Sequence, residues 1–135
     1  MEKSFTTGLE FKSVVEAVNF FTGKSYKAWM KGSYQFNENY FVWFPHFTSC
    51  NEPLKGGWIN TISKDEKEIH EKNIDSSMNI DWSEKHPKYR LVVGNFNMKP
   101  PYKFYGVYEL DKERSTKQEN VYKRVSDHIH ISELQ

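Results

Sequence analysis

The sequence predicts an α+β fold in which a curved, mostly antiparallel sheet is covered by two helices near the N-terminus. Three observations carry this. Aromatic residues make up 16% of the chain and gather in short runs with β-branched neighbours, the composition that pleated strands favour. Those runs alternate with polar residues and are punctuated by Asn, Gly and Pro, as in hairpins with one wet face. The strongest helical spacing falls early, where Phe11, Val14, Val15, Val18 and Phe21 recur three to four residues apart.

That spacing predicts a helix over Phe11–Phe21, stopped by Gly23. A second short helix is expected over Ser25–Lys31, capped by Ser25 and closed by Gly32, with Tyr26, Trp29 and Met30 on one side. The helical part thus occupies residues 11–31 and the strands 33–131, within a single domain spanning 1–135. From Ser33 to Phe47, aromatic residues surround the turn-like Asn37-Glu38-Asn39, giving a hairpin whose second strand ends at Pro45. Thr48–Gly57 reads as an open loop and Trp58–Ile62 as a strand. Asp65-Glu66-Lys67 is a turn from which Glu68–Glu71 pairs back. Residues 72–87 are polar apart from Met78, Ile80 and Trp82 and read as a long excursion.

The most informative stretch is the hairpin of Tyr89–Gly94 with Tyr102–Leu110, joined by a loop holding Pro100 and Pro101. Its second strand carries four aromatic residues and Gly106, a pattern suited to a bent strand that packs bulky groups on both faces. A charged connection over 111–120 leads to a last alternating strand, Val121–Ile131.

Composition narrows the function. Nineteen Lys and Arg stand against 18 Asp and Glu, so no global field draws the protein to a polyanion, and any such site must be a local patch. The lone Cys50 cannot form an internal disulfide, which points to a reducing compartment and a cytoplasmic location. No apolar run approaches the roughly 20 residues needed to cross a bilayer, and Met1–Ser4 leads into no signal-like segment, so no membrane partner is expected and the mature chain is expected to be the whole chain.

Among constellations with chemistry, the aromatic and amide set Trp43, Phe44, Trp58, Asn60, Tyr102 and Tyr105 stands out, because flat rings stack on bases and an amide pairs with a base edge. A β-rich core accounts for most single rings equally well, and a turn or strand-edge role accounts for Asn60. His128 and His130 share a strand face with zinc-like spacing, but no further ligand pattern accompanies them, and no metal is expected. Cys50 has no neighbouring base to activate it. Glu66, Glu68 and Glu71 fit a turn and a wet strand face better than paired-carboxylate catalysis. Gly56-Gly57 lacks the context of a phosphate loop. No catalytic residue and no cofactor are therefore expected. Lys85, Lys88, Arg90, Lys99 and Lys103, followed by Lys112, Arg114, Lys117, Lys123 and Arg124, form a candidate phosphate-contacting stripe, interrupted by acids that would also suit a solvated face.

The order Val42-Trp43-Phe44-Pro45, Gly57–Asp65, Tyr89–Val93 and Tyr102–Asp111, closed by Tyr122-Lys123-Arg124-Val125, resembles the PUA-like modules that accompany restriction endonucleases and defence helicases. The resemblance covers roughly Phe41–Ile131. It implies a strongly bent β-barrel of about five to seven mostly antiparallel strands with two N-terminal helices packed outside, in a superfamily that includes the SRA, YTH, EVE and ASCH domains. Many of these bind nucleic acid, and several hold a flipped or modified base in an aromatic pocket. By position, Trp43, Phe44, Trp58 and Asn60 would lie near such a pocket, and Arg90, Lys103 and Arg124 would contact the backbone.

The resulting expectation is a non-catalytic module for DNA or RNA that reads an exposed or modified base. Two rivals remain open at this point. One is a protein-interaction or inhibitor domain from a phage or mobile element, docking a protein partner through exposed aromatics and a sheet edge. The other is a small ASCH-like hydrolase.

Overall fold

The computed structural model describes residues 4–49, 53, 55–75 and 86–135. Strand β1 (Ser4–Thr6) and β2 (Glu10–Phe11) precede one helix, α1 (Val14–Thr22). Ser13 starts α1: its hydroxyl accepts the Glu16 amide, and Glu16 Oε2 in turn accepts the Lys12 amide at 3.1 Å. Gly23 ends it with φ +73°, a left-handed conformation suited to glycine, and donates its N–H to the Asn19 carbonyl.

The second expected helix does not form. Asn19 takes both backbone groups of Tyr26, accepting its N–H at 2.9 Å and donating to its carbonyl at 3.0 Å, so a side chain replaces the helical bonds of that segment. Tyr26 and Trp29 instead lie against Tyr34, with the Trp29 and Tyr34 rings 4.9 Å apart.

The strands that follow are β3 (Ser33–Gln35), β4 (Tyr40–Trp43), β5 (His46–Phe47), β6 (Trp58–Ile62), β7 (Glu68–Asn73), β8 (Tyr89–Phe96), β9 (Lys99–Leu110), β10 (Asn120–Ser126) and β11 (His128–His130). They build a nine-stranded sheet ordered β3-β4-β8-β9-β10-β7-β6, with β2 added to β9 and β5 to β8; β1 and β11 form a separate pair. The hairpins expected around residues 37–39, 65–67 and between β8 and β9 are present. Two local expectations shift. The β8–β9 turn is Asn97-Met98, both at positive φ, so Pro100 and Pro101 lie inside β9 rather than in a loop. The last strand is split at Asp127 into β10 and β11.

The expected closed barrel is, among the described residues, a curled sheet whose ladder does not close. Its two ends differ in kind, because β4 and β5 run parallel to β8 while the other pairings are antiparallel. The curl brings β6 beside the end of β5, where the Thr48 amide donates to the Asn60 carbonyl at 2.9 Å. Gly106 allows the bend. It sits at φ +125°, and a Cβ there would lie 2.7 Å from the Ser126 carbonyl oxygen.

Two apolar layers result. On the outer side, Ala17, Val18 and Phe21 of α1 pack on Phe44, Leu91, Val93, Phe104 and Val107. On the inner side, Phe47, Ile69, Val92, Tyr105, Tyr108 and Tyr122 pack together with Trp43, Ile62 and Leu110. Neighbours in sequence thus part company: Leu91 and Val93 face the helix while Val92 faces inward, as strand alternation requires.

Candidate functional site

The inner face is apolar at one end and polar at the other. Ile62 on β6 pairs with Ile69 on β7, and two residues along the same strands Asn60 pairs with Glu71, which pairs in turn with Asn120 on β10. Because two residues is one strand repeat, this polar row lies on the same face as the apolar one. All three members are buried, Asn60 at 7%, Glu71 at 7% and Asn120 at 1% exposure.

Buried polar groups cost stability unless they are hydrogen-bonded, so the partners of this row are decisive. Glu71 Oε1 accepts the Tyr122 hydroxyl at 2.7 Å and the Asn120 amide at 3.5 Å. Both bonds use one carboxylate oxygen, and Oε2 has none among the described residues. Asn60 Nδ2 donates to the His46 carbonyl at a long 3.5 Å, while Asn60 Oδ1 is buried and unpartnered. Among the described residues β6 therefore presents a buried acceptor without a donor, next to a carboxylate on β7 that uses only one of its oxygens.

Trp58 is in register with Asn73 one repeat beyond Asn60 and is 38% exposed at the mouth. Trp43 lies 5.4 Å from Tyr122 across the curl. Between them is Arg90, only 3% exposed, with its guanidinium carbon 4.1 Å from the Tyr122 ring centre, 4.8 Å from Phe41 and 5.1 Å from Trp43. Arg90 and Trp43 thus meet the ring of the tyrosine whose hydroxyl donates to Glu71.

Comparison with known proteins bears on this arrangement. The family model for the SET and RING associated domain, SRA, matches residues 4–131. The chain belongs to the SRA family. It is thereby a PUA-like module, of the kind that accompanies restriction enzymes. Among solved structures this SRA chain is similar to the 5-hydroxymethylcytosine-specific restriction enzyme AbaSI, at 26% identity and a TM-score of 0.67. The likeness covers 90% of this chain and 40% of that one, so the SRA chain spans less than half the length of that enzyme. No curated protein matches.

The structure divides the residues singled out from the sequence. Asn60 lies in the polar row with Trp58 one repeat beyond it on β6, while Trp43 packs against the inner cluster beside Tyr122. Phe44 is buried against α1 on the opposite face, and Tyr102 packs against that same outer layer. Tyr105 lies on the inner face but at the apolar end, where it meets Phe47 edge-on at 5.4 Å; burial, then the nearby Glu66 and Glu10, push its hydroxyl up to about 12.

The three cations also separate. Lys103 and Arg124 meet at the β6–β7 turn, where Glu66 Oε2 lies 3.2 Å from Lys103 Nζ and Glu66 Oε1 4.0 Å from Arg124 Nη1. Tyr108 ties that turn to the sheet by donating to the Glu66 carbonyl. Arg90 is at the other end, in its cage of rings.

Glu71, Asn120, Tyr122 and Phe41 are not among the pocket residues expected from the sequence, where Glu71 fits a wet strand face. The correcting signal was present: Ile69 and Glu71 are two apart, as are Asn120 and Tyr122, so whichever face buries the apolar member buries the polar one. Cys50, Lys85 and the isolated Met78, Ile80 and Trp82 lie outside the described residues. Among the described residues no cluster of His, Cys, Asp and Glu is arranged to hold a metal, and no helix is long and apolar enough to cross a membrane.

Proposed function

We propose that the chain, acting as one domain over 1–135 in the cytoplasm, is a non-catalytic reader of DNA that holds an exposed, modified cytosine in the polar end of its curled sheet. The carrying observation is Asn60 Oδ1, a buried acceptor without a donor among the described residues, paired across the strands with Glu71, whose two hydrogen bonds both use Oε1. A cytosine amine supplies the missing donor, and acidic side chains accept from it in direct base readout. Trp58 and Trp43 offer the stacking surfaces that an extruded base needs, since leaving the duplex stack costs a few kcal/mol. Membership of the SRA family and similarity to an enzyme specific for 5-hydroxymethylcytosine support a modified base as the ligand.

Lys103 and Arg124 serve as phosphate contacts in this reading, with Glu66 giving way to a phosphate, because both cations converge on that one turn carboxylate. Phe44, Tyr102 and Tyr105 support the sheet and do not touch the base.

Tryptophan fluorescence tests this directly. Duplexes carrying cytosine, 5-methylcytosine or 5-hydroxymethylcytosine at one position are titrated at low salt. Selective quenching by a modified duplex, lost in a folded Trp58→Ala variant, is the expected result. Equal, weak quenching by every duplex would overturn it and direct attention to a protein partner.

A further inference from the structure

Arg90 is a buried cation with no anion paired to it among the described residues. Its side chain is 3% exposed, its Nε–H is unpartnered, and no described residue gives it a hydrogen bond or an ion pair. The three rings around it stabilise the faces of a guanidinium but leave its edge donors unused. Taking a charge out of water without a counter-ion is costly, so a folded chain that keeps one there is poised for a ligand that supplies the acceptor.

The guanidinium is reachable. Arg90 lines a groove of about 620 Å³ at the strand ends of β8, β9 and β10, shared with Lys88, Lys112 and Lys123. Acids line it too. Glu109 lies 3.8 Å from both Lys88 and Lys123, whereas neither Asp111 nor Glu113 reaches Arg90.

Arg90 is also coupled to the base site. The Tyr122 ring faces the guanidinium while its hydroxyl holds Glu71, so the cation and the carboxylate sit on different parts of one side chain without pairing to each other. A pyrimidine whose amine meets Glu71 carries its 5-substituent on the neighbouring ring atom.

We propose that Arg90 is the specificity-determining residue of the base site, and that it selects a 5-substituent bearing acceptor oxygens, above all an anionic one such as a carboxylate. The inference rests on the base-reading function. It goes further by ranking the ligands: a methyl group gives Arg90 nothing, a hydroxymethyl satisfies one donor, and a carboxylate accepts two donors and balances the charge. A charge-assisted contact of this kind corresponds to about 10- to 100-fold in affinity.

The experiment uses the full chain and four duplexes that differ only at one cytosine: unmodified, 5-methyl, 5-hydroxymethyl and 5-carboxyl. Wild type is expected to bind them in rising order. Arg90→Met, which fills the cage with an apolar chain of similar length, is expected to fold, to keep its affinity for the 5-methyl duplex and to lose the preference for the oxygenated ones. Arg90→Lys keeps the charge without the planar fork and is expected to fall between.

If wild type prefers 5-methylcytosine or treats the modified bases alike, Arg90 does not read the substituent, although base reading itself stands. If Arg90→Met weakens all four duplexes equally, the residue is a backbone contact and the proposal fails. If wild type binds none of them above an unmodified duplex, the base-reading function fails first. The wild-type ranking alone decides the matter should Arg90→Met not fold.

Discussion

Glu71→Gln separates a structural carboxylate from one that reads a base. In the free protein the carboxylate accepts the Tyr122 hydroxyl at 2.7 Å and the Asn120 amide at 3.5 Å, both at Oε1. Glutamine keeps the size and one acceptor. The Tyr122 hydroxyl, which needs an acceptor, fixes the amide oxygen on that side and turns the amide nitrogen to where Oε2 stood. A cytosine amine would then meet a donor instead of an acceptor. Losing a hydrogen bond to a charged group is worth about 1.5–3 kcal/mol, or roughly 10- to 150-fold in affinity. The folded protein loses less, because the Tyr122 bond survives in neutral form, and its melting temperature should fall by only a few degrees. Fluorescence titration of matched duplexes reads the outcome. The variant should bind a 5-hydroxymethylcytosine duplex roughly 10- to 150-fold more weakly than wild type and gain relative affinity for 5-hydroxymethyluracil, whose 4-oxo group accepts from the new amide. A variant that binds both duplexes as wild type does, or loses both equally, would refute Glu71 as the reader of the amine.

Trp58→Ala should lower affinity for a modified duplex by about 1–3 kcal/mol, as loss of one stacking ring does, while leaving the melting temperature nearly unchanged because the ring is already 38% exposed; titration and calorimetry on the same sample check both halves. Gly106→Ala should cost at least about 2 kcal/mol in urea unfolding, since φ +125° is strained for alanine and its Cβ would lie 2.7 Å from a backbone carbonyl oxygen. His70 is held by Glu119 at 2.6 Å and Glu68 at 2.9 Å. Burial alone would lower its value, but the two carboxylates outweigh burial and raise it above 6.5. A raised value in the fold means that the bound proton stabilises, fully below pH 6.5 and less as pH climbs through the raised value. Thermal stability should therefore decline across that window, and His70→Gln should flatten the profile. Glu68, drawn down to about 2 by Arg114 and then His70, acts in the opposite sense: its contribution is present above pH 4.5 and fades as pH falls towards 2, so acid unfolding of Glu68→Gln should begin from a lower plateau.

Alternation made most of the sheet legible in the sequence. Leu91, Val92 and Val93 are all buried because both faces of β8 are covered, and the aromatic run of β9 splits between the layers as a bent strand requires. The second helix was misread because its pattern of Tyr26, Trp29 and Met30 satisfied helical spacing, yet a longer-range partner, Asn19, took the Tyr26 backbone. Met30 is in fact 93% exposed. The β8–β9 turn was misplaced because prolines outrank Asn97-Met98 as turn signals, although Asn tolerates the positive φ that a two-residue turn demands. At the site, large rings drew the reading, and they proved hard to sort because Phe44 and Trp43 are neighbours pointing to opposite faces. Asn60 stands out in the sequence as an amide among rings, but its partners Glu71 and Asn120 read as ordinary strand-surface polars. Only pairing across three strands, which one-dimensional spacing does not contain, puts them in a row.

The two ends of the inner face show why the polar one is the better place for a ligand. At the β6–β7 turn every strong group has a mate: Tyr108 bonds the Glu66 carbonyl, Arg124 donates to the Tyr105 carbonyl at 3.2 Å, and Lys103 meets Glu66. The remaining volume of that end is filled by Phe47, Val92 and Tyr105. By contrast, Asn60 Oδ1 and Arg90 Nε are buried without partners among the described residues. An unmade hydrogen bond in the interior costs about 1–3 kcal/mol. Apolar residues of similar size would remove that cost. Their absence has no folding rationale, because β6, β7 and β8 already bury Ile62, Ile69 and Val92 one repeat away. The cost is recovered when a ligand brings donors to Asn60 and Glu71 and an acceptor to Arg90, and a cytosine with an oxygenated 5-substituent carries both on adjacent ring atoms.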